Sequence, residues 1–465
     1  MMSPAMPLYD SESRNLRLAL CGDLMLTRRL AVYKEPRFLA LRDLLNGADC
    51  AFANFESTIR HYGECTPSLT QGTYMTTEPH LLEDVKWLGL KLVSCANNHA
   101  YEYGEQGIMS TYRNLDAAGI AHAGSGANLR EALSPGYVET PAGRIALIAA
   151  VATFQEFNRA TDQRPDAIGK PGINALGHQV VYDVDEQAFR ELRRMGEALG
   201  LEAEKARARG WFYSASEAGA AEEGIYTFYG KRYRQSDGFA VHTSVNKRDA
   251  EAQLRQIREA KREADWVIVS LHSHEMGGES FLKATTRPGL VEPAQFVKDF
   301  AHACIDEGAD VFAGHGPHSL LGAELYKGKP IFYSLGDFVM QNETVRHFPS
   351  HAYTRFGLDH EATPADFLDA RSDHDRKAHP AHPEYWESVV AVCDFRDGEL
   401  DKVELHPIDL GFGRPRPQRG RPLLADPTVG DKILNDMDRL SKPYGVEVER
   451  DGGIGLIRAR VAAAV

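Results

Sequence analysis

The feature that most constrains this chain is a repeated pattern: a short apolar run that stops abruptly at side chains able to hold a metal ion. Leu92 and Val93 lead into Ser94-Cys95-Ala96 and then Asn97, Asn98 and His99, before a helical segment from Gly107 to Ala118. Other runs end at Gly22-Asp23, at Asn54-Phe55-Glu56, at His272 with His274 and Glu275, at His315 with His318, and at Gly336-Asp337. A buried strand that precedes a helix puts such groups at the carboxyl edge of a sheet, where open α/β folds keep their sites. Each residue alone has an ordinary explanation, as a turn former or a satisfied structural histidine. Their recurrence at nearly every strand end argues for one shared centre.

The segments between these ends complete the reading. Leu16–Cys21, Asp49–Asn54, Leu90–Cys95, Arg144–Val151, Asp265–His272, Ala309–Gly314 and Pro330–Leu335 read as strands, from their length and continuous apolar character. Helices are expected over Pro79–Trp87, Gly107–Ala118, Ala250–Ala264 and Pro293–Glu307. This alternation predicts an α/β layered core. One main domain is expected over residues 15–345, after a flexible arm at 1–14. Within it, 153–248 loosens in pattern and carries a charged helix from Glu186 to Arg209; it reads as an insertion able to roof a site. Residues 346–386, rich in His, Asp, Arg and Pro, read as a long loop insertion. The rest, 387–465, is expected to pack on the same domain as a hairpin turning at Asp397-Gly398 and a helix from Gly430 to Leu440.

Composition excludes more than it assigns. A formal net charge of -13 over 465 residues argues against a general nucleic-acid surface. The six cysteines are scattered without a C-x-x-C pair, so they read as free buried thiols rather than a zinc site. No apolar run approaches the ~20 residues of a membrane helix. The start has no basic segment followed by an apolar one, so the expected location is the cytoplasm, with neither membrane nor nucleic acid as partner. Carboxylate, amide and imidazole groups without thiolate form a ligand set for hard to borderline divalent ions, such as Mn, Fe(II), Zn or Mg.

Several stretches resemble the CapA family of poly-γ-glutamate capsule-synthesis proteins, within the calcineurin-like metallophosphatase superfamily. They are CGDLML at 21–26, ANFEST at 53–58, SCANNHAYEYGEQGI at 94–108, AGIAHAGSGAN at 118–128, ADWVIVSLHSHEMGGE at 264–279 and ADVFAGHGPHSLLGAELYKGKPIFYSLGDFV at 309–339. The resemblance implies a two-sheet β-sandwich flanked by helices, with a centre of one or two divalent ions (Mn, Zn or Fe) at one edge. It implies Asp23, Glu56, Asn98, His272, His315 and His318 as metal ligands, and His274, at the same strand end as His272, is a further candidate ligand. His99, beside Asn98, is implied as the catalytic group that protonates a leaving group or holds the attacked oxygen.

This sequence departs from the superfamily in three places. Glu56 stands where a bridging aspartate is usual, Met25 where a histidine follows the first aspartate, and the final motif is G-H-x-x-H rather than G-H-x-H. Arg28, Arg29, Lys170 and Arg414 are candidates to pin an anionic substrate, since arginine grips carboxylate in bidentate fashion. Glu275 and Asp337 are candidates to touch substrate or to orient the ligand histidines. The expected activity is metal-dependent hydrolysis of an amide in a small or oligomeric anionic, γ-glutamyl-like substrate, by a chain that could pair as a homodimer. Phosphoester hydrolysis and non-catalytic binding of a capsule polymer are the alternatives.

Overall fold

Strict alternation inside the apolar strands dictates a layered structure. In the strand Leu16–Met25, Leu16, Leu18 and Leu20 face one core while Ala19 and Cys21 face another. In Gly143–Val151, Ile145, Leu147, Ala149 and Val151 face that first core, and Ala146, Ile148 and Ala150 a third. A strand apolar on both faces must be covered on both. The computed structural model, which describes residues 14–70, 72–211, 223–277 and 292–459, meets this demand with two sheets packed face to face and helices outside each.

The first sheet joins ten strands around Leu16–Met25. That strand pairs in parallel with Cys50–Asn54 and Asp337–Met340, and antiparallel with Glu387–Arg396. The second sheet has six strands, with Gly143–Val151, Trp266–His272, Val311–His315 and Lys329–Phe332 running parallel at its centre. Helix Pro36–Asn46 buries Phe38, Leu41 and Leu45 in the core outside the first sheet. Helices Lys247–Ala260 and Gln295–Asp306 cover the second. The fold is α/β, as the alternation of strands and helices predicts. All six cysteines are buried and free. No helix among the described residues is long and apolar enough to cross a membrane.

Three segments differ from the pattern expected of them. The charged helix breaks at Gly200, in the left-handed region at φ 75°, into Glu186–Ala198 and Leu201–Arg209. It belongs to a unit with its own four-stranded sheet, built from His178–Val184, Ile225–Phe228, Lys231–Gln235 and Ala240–Val245. The stretch 346–386 is not continuous loop. Helices Ser350–Arg355 and Pro364–Ser372 form there around Ala352, Phe367 and Leu368, and a capping box between Thr363 and Asp366 starts the second. Most of the expected arm, residues 1–13, lies outside the described residues.

Close backbone approach sets the sheet geometry at the site. A Cβ on Gly22 would collide with the carbonyl oxygen of Gly336, which also accepts the Asp23 N–H at 3.1 Å. Gly22→Ala should therefore destabilise the protein by about 1–3 kcal/mol, the range for forced overpacking, read as a lower denaturant midpoint at unchanged slope.

Candidate metal centre

Strand register assembles the site. Asp23 is the partner of Asn54 on one side and Asp337 on the other in the first sheet. In the second sheet His272 lies directly beside His315. All of these strand ends converge where the sheets meet, and Asp23, Asn54, His272 and Asp337 are fully buried.

Asp23 is held from both sheets. Asn54 Nδ2 donates to its Oδ1 at 2.7 Å, and the backbone N–H of Gly316 donates to its Oδ2 at 3.1 Å. Gly316 reaches that position with φ 120°, against the Ser273 backbone. Nδ1 of His315 is 3.5 Å from Asp23 Oδ1, and Nδ1 of His318 is 3.7 Å from Oδ2. His318, itself in the left-handed region at φ 58°, also meets Asp337 Oδ1 at 2.9 Å. Glu56 Oε1 lies centrally, 3.5 Å from His99 Nε2, 3.7 Å from His272 Nε2 and 3.8 Å from His318 Nε2. Its longer side chain reaches the middle of the cluster. His272 contacts His315 at 3.0 Å (Nδ1 to Nδ1) and His274 at 3.1 Å (Nε2 to Nε2).

These donors form three overlapping sets: Asp23, His272 and His315; Glu56, His272 and His274; and Asp23, Glu56, His318 and Asp337. Within each, the ligand atoms lie within 4.8 Å of one another. Asn98 adds a buried side-chain oxygen with no hydrogen-bond partner. Burial and the neighbouring Asp337 carboxylate push the Asp23 carboxyl well above its ordinary range. Burial, then the adjacent imidazoles, drives His272 well below its usual value, and burial alone takes His315 to about 3. Acids crowded with acids and neutral imidazoles crowded together are relieved by a divalent cation, which outweighs other local charges. The donor set therefore fits such an ion.

His99 stands at the edge of this cluster. Asn97 places it: its Nδ2 donates to the Phe55 carbonyl at 2.9 Å and to Asn54 Oδ1 at 3.3 Å, while its Oδ1 accepts the His99 N–H at 3.2 Å. Buried Glu102 sits 2.8 Å from His99 Nδ1 and accepts the Met75 N–H at 2.6 Å, which leaves Nε2 turned toward Glu56. Burial raises the Glu102 carboxyl, and His99 pulls it back.

A cavity of about 180 Å³ opens on the centre, lined by Met25, Asn98, His99, His274 and His318, and also by Asn342, Arg371 and His379. Met25 thus occupies the cavity wall where a first-motif histidine would stand. Of the remaining candidates, Asp337 joins the ligand cluster. Glu275 accepts from Thr153 and Ser273 and shapes the loop carrying His274, whose own N–H donates to Thr153. Arg28 donates to the carbonyls of Pro417 and Arg419, and Lys170 to that of Phe157; neither is among the residues lining the cavity. The lining draws on 72–75 and 342–379 and, among the described residues, on nothing from 153–248. Asn54 and Asn97 were expected only among the polar groups at strand ends, and Glu102, Asn342, Arg371 and His379 carried no expectation. The spacing of Glu102, three residues after His99, was the one local signal.

Two sheets meeting at a buried histidine–carboxylate cluster make this a layered α/β protein with a candidate divalent-metal centre. The sequence model of the family described as bacterial capsule synthesis protein PGA_cap matches residues 17–342, and the chain belongs to that family. An uncharacterized protein of Sinorhizobium fredii is 32% identical over 455 residues, covering 94% of this chain and 92% of its own. The PGA biosynthesis protein CapA of Bacillus subtilis is 23% identical over 78% of this chain and 76% of its own. The capsule biosynthesis protein CapA of Bacillus anthracis is 21% identical over 73% and 63%.

Protein purified without a histidine tag should carry near-stoichiometric Mn, Fe or Zn by elemental analysis. The double substitution Asp23→Ala/His318→Ala should lose it.

Proposed function

We propose that this protein is a divalent-metal-dependent hydrolase acting on the amide bond of an anionic, γ-glutamyl-like substrate. The observation that carries the reading is the convergence of seven buried or half-buried metal-capable side chains beside the His99–Glu102 pair, next to a small cavity that His274, His318 and His99 line. The amide preference rests on the Bacillus relatives, whose names concern biosynthesis of PGA and of capsule.

Asp23, Glu56, His272 and His318, with Asp337, His315, His274 and Asn98 at hand, would hold one or two ions. A bound divalent ion supplies Lewis-acid polarisation and activates water for attack. The chain does the rest. In the imidazolium form, with Nδ1–H directed at Glu102, His99 holds its other proton on Nε2, the nitrogen facing the centre, for transfer to a departing amine. Asn97 fixes the backbone that carries His99, so the ring's position does not depend on a mobile loop. The small cavity volume suits a single amino-acid-sized unit, below the ~300 Å³ of common ligand pockets.

The reading is tested with Mn-, Zn- or Fe-loaded protein on a panel of γ-glutamyl amides and aryl phosphates. Amide turnover should dominate; turnover of phosphates alone would replace the proposal with phosphoester hydrolysis. His99→Ala should lower kcat about 10²- to 10⁴-fold, the usual weight of one acid–base group. Glu102→Gln should cost roughly 10–100-fold, as loss of an orienting partner does, without loss of metal. Unchanged kcat in His99→Ala would remove its role as acid.

A further inference from the structure

The wall of the cavity contributed by 342–379 lies almost wholly beyond the family match, which ends at residue 342. It is firmly tied to the rest of the protein. His351 Nε2 meets the Tyr74 hydroxyl at 2.5 Å, Arg355 donates to the Thr70 carbonyl at 3.0 Å, and Arg371 donates to Thr73 Oγ1. A segment anchored this way delivers side chains to the cavity with fixed geometry.

Arg371 is the unusual member. It sits at the end of helix Pro364–Ser372 and lines the cavity, and burial lowers its tendency to hold a proton. Guanidinium groups in such places ordinarily pair with a carboxylate. The acids around it are already engaged. Arg416 takes Asp369 at 2.6 Å and Asp375 at 2.9 Å, Arg419 takes Glu343 and Asp375, and His99 takes Glu102. Among the described residues, no carboxylate forms an ion pair with Arg371; its one hydrogen bond is to a neutral hydroxyl. Beside it on the same wall, buried Asn342 has its amide nitrogen 3.3 Å from His379 Nδ1 and a buried Oδ1 with no partner. The wall thus offers one cation outside any ion pair, on which Glu343 and Glu102 act only from beyond contact, and one unused acceptor.

We propose that Arg371 and Asn342 form the specificity subsite of the cavity: Arg371 binds a substrate carboxylate, and Asn342 Oδ1 accepts an N–H from the same amino-acid unit. Arg371 supplies the planar donor pair that matches a carboxylate. Asn342 adds a demand that a simple dicarboxylate or an inorganic anion does not meet. This rests on the hydrolase reading for its place in the reaction, because the subsite shares its cavity with His99, His274 and His318. Of the arginines evident from sequence, Arg28 is spent on backbone carbonyls and Arg29 on Asp84 instead.

The test is calorimetric titration of the full chain with L-glutamate, glutarate and inorganic phosphate, with metal content measured in every sample. L-glutamate should bind best. Arg371→Gln should weaken it at least about 10-fold, as expected for loss of a hydrogen-bonded charged partner, at unchanged metal content. Arg371→Lys, which keeps the charge but not the fork, should weaken it by a smaller factor and carries the test where Arg371→Gln does not fold. Unchanged glutamate affinity in both variants overturns the subsite. So does phosphate or glutarate binding as tightly as glutamate, or metal lost with Arg371. If the protein takes up no metal and turns nothing over, the hydrolase reading fails. The loss of glutamate binding in the Arg371 variants would still establish the subsite.

Discussion

The structure depends on one buried carboxylate. Asp23 accepts an amide N–H from Asn54 in its own sheet and a backbone N–H from Gly316, in the loop that leaves the other sheet. A charge taken out of water must find such partners or be neutralised, so this residue fixes how the two sheets meet. The constraint propagates. Asn54 is also the acceptor for Asn97, and Asn97 holds the backbone of His99. A ladder of amide hydrogen bonds therefore links the ligand cluster to the adjacent histidine, with no exposed loop between them.

Around that residue the fold concentrates groups that would be costly anywhere else. Asp23, Glu56 and Asp337 share a space closed to solvent, and His272 and His315 are pressed together with burial holding them neutral. The layered cores on either side supply the apolar burial that offsets this cost. Such an accumulation of like groups is characteristic of sites rather than of scaffolds. Its position at the carboxyl ends of parallel strands follows from the sheet topology and needs no special loop.

The cavity above the cluster combines two origins. One side comes from strand-end residues within the family match, the other from helices that form between 346 and 386. Asp369 in the second of those helices, with Asp375 after it and Glu343 before them, pairs with Arg416 and Arg419 from the segment after the hairpin. The far end of the chain thus stabilises the wall that shapes the cavity, while no described residue of the 153–248 unit, with its separate sheet, contributes to the lining.

The core strands, the layered fold class and the residues at the strand ends were all legible in the sequence, because each is a local pattern: an apolar run, then a ligand type. Asp23, His272 and His318 could be named from that pattern alone. Their mutual distances could not, since register between strands far apart in the chain decides whether the ends meet. The helices of 346–386 were hidden because they are short and pack around a small cluster of Ala352, Phe367 and Leu368 rather than along a long apolar stripe. Arg371 was one arginine among many in sequence. Only the tertiary structure shows that every nearby acid is already engaged, because the competition for a carboxylate is settled in space.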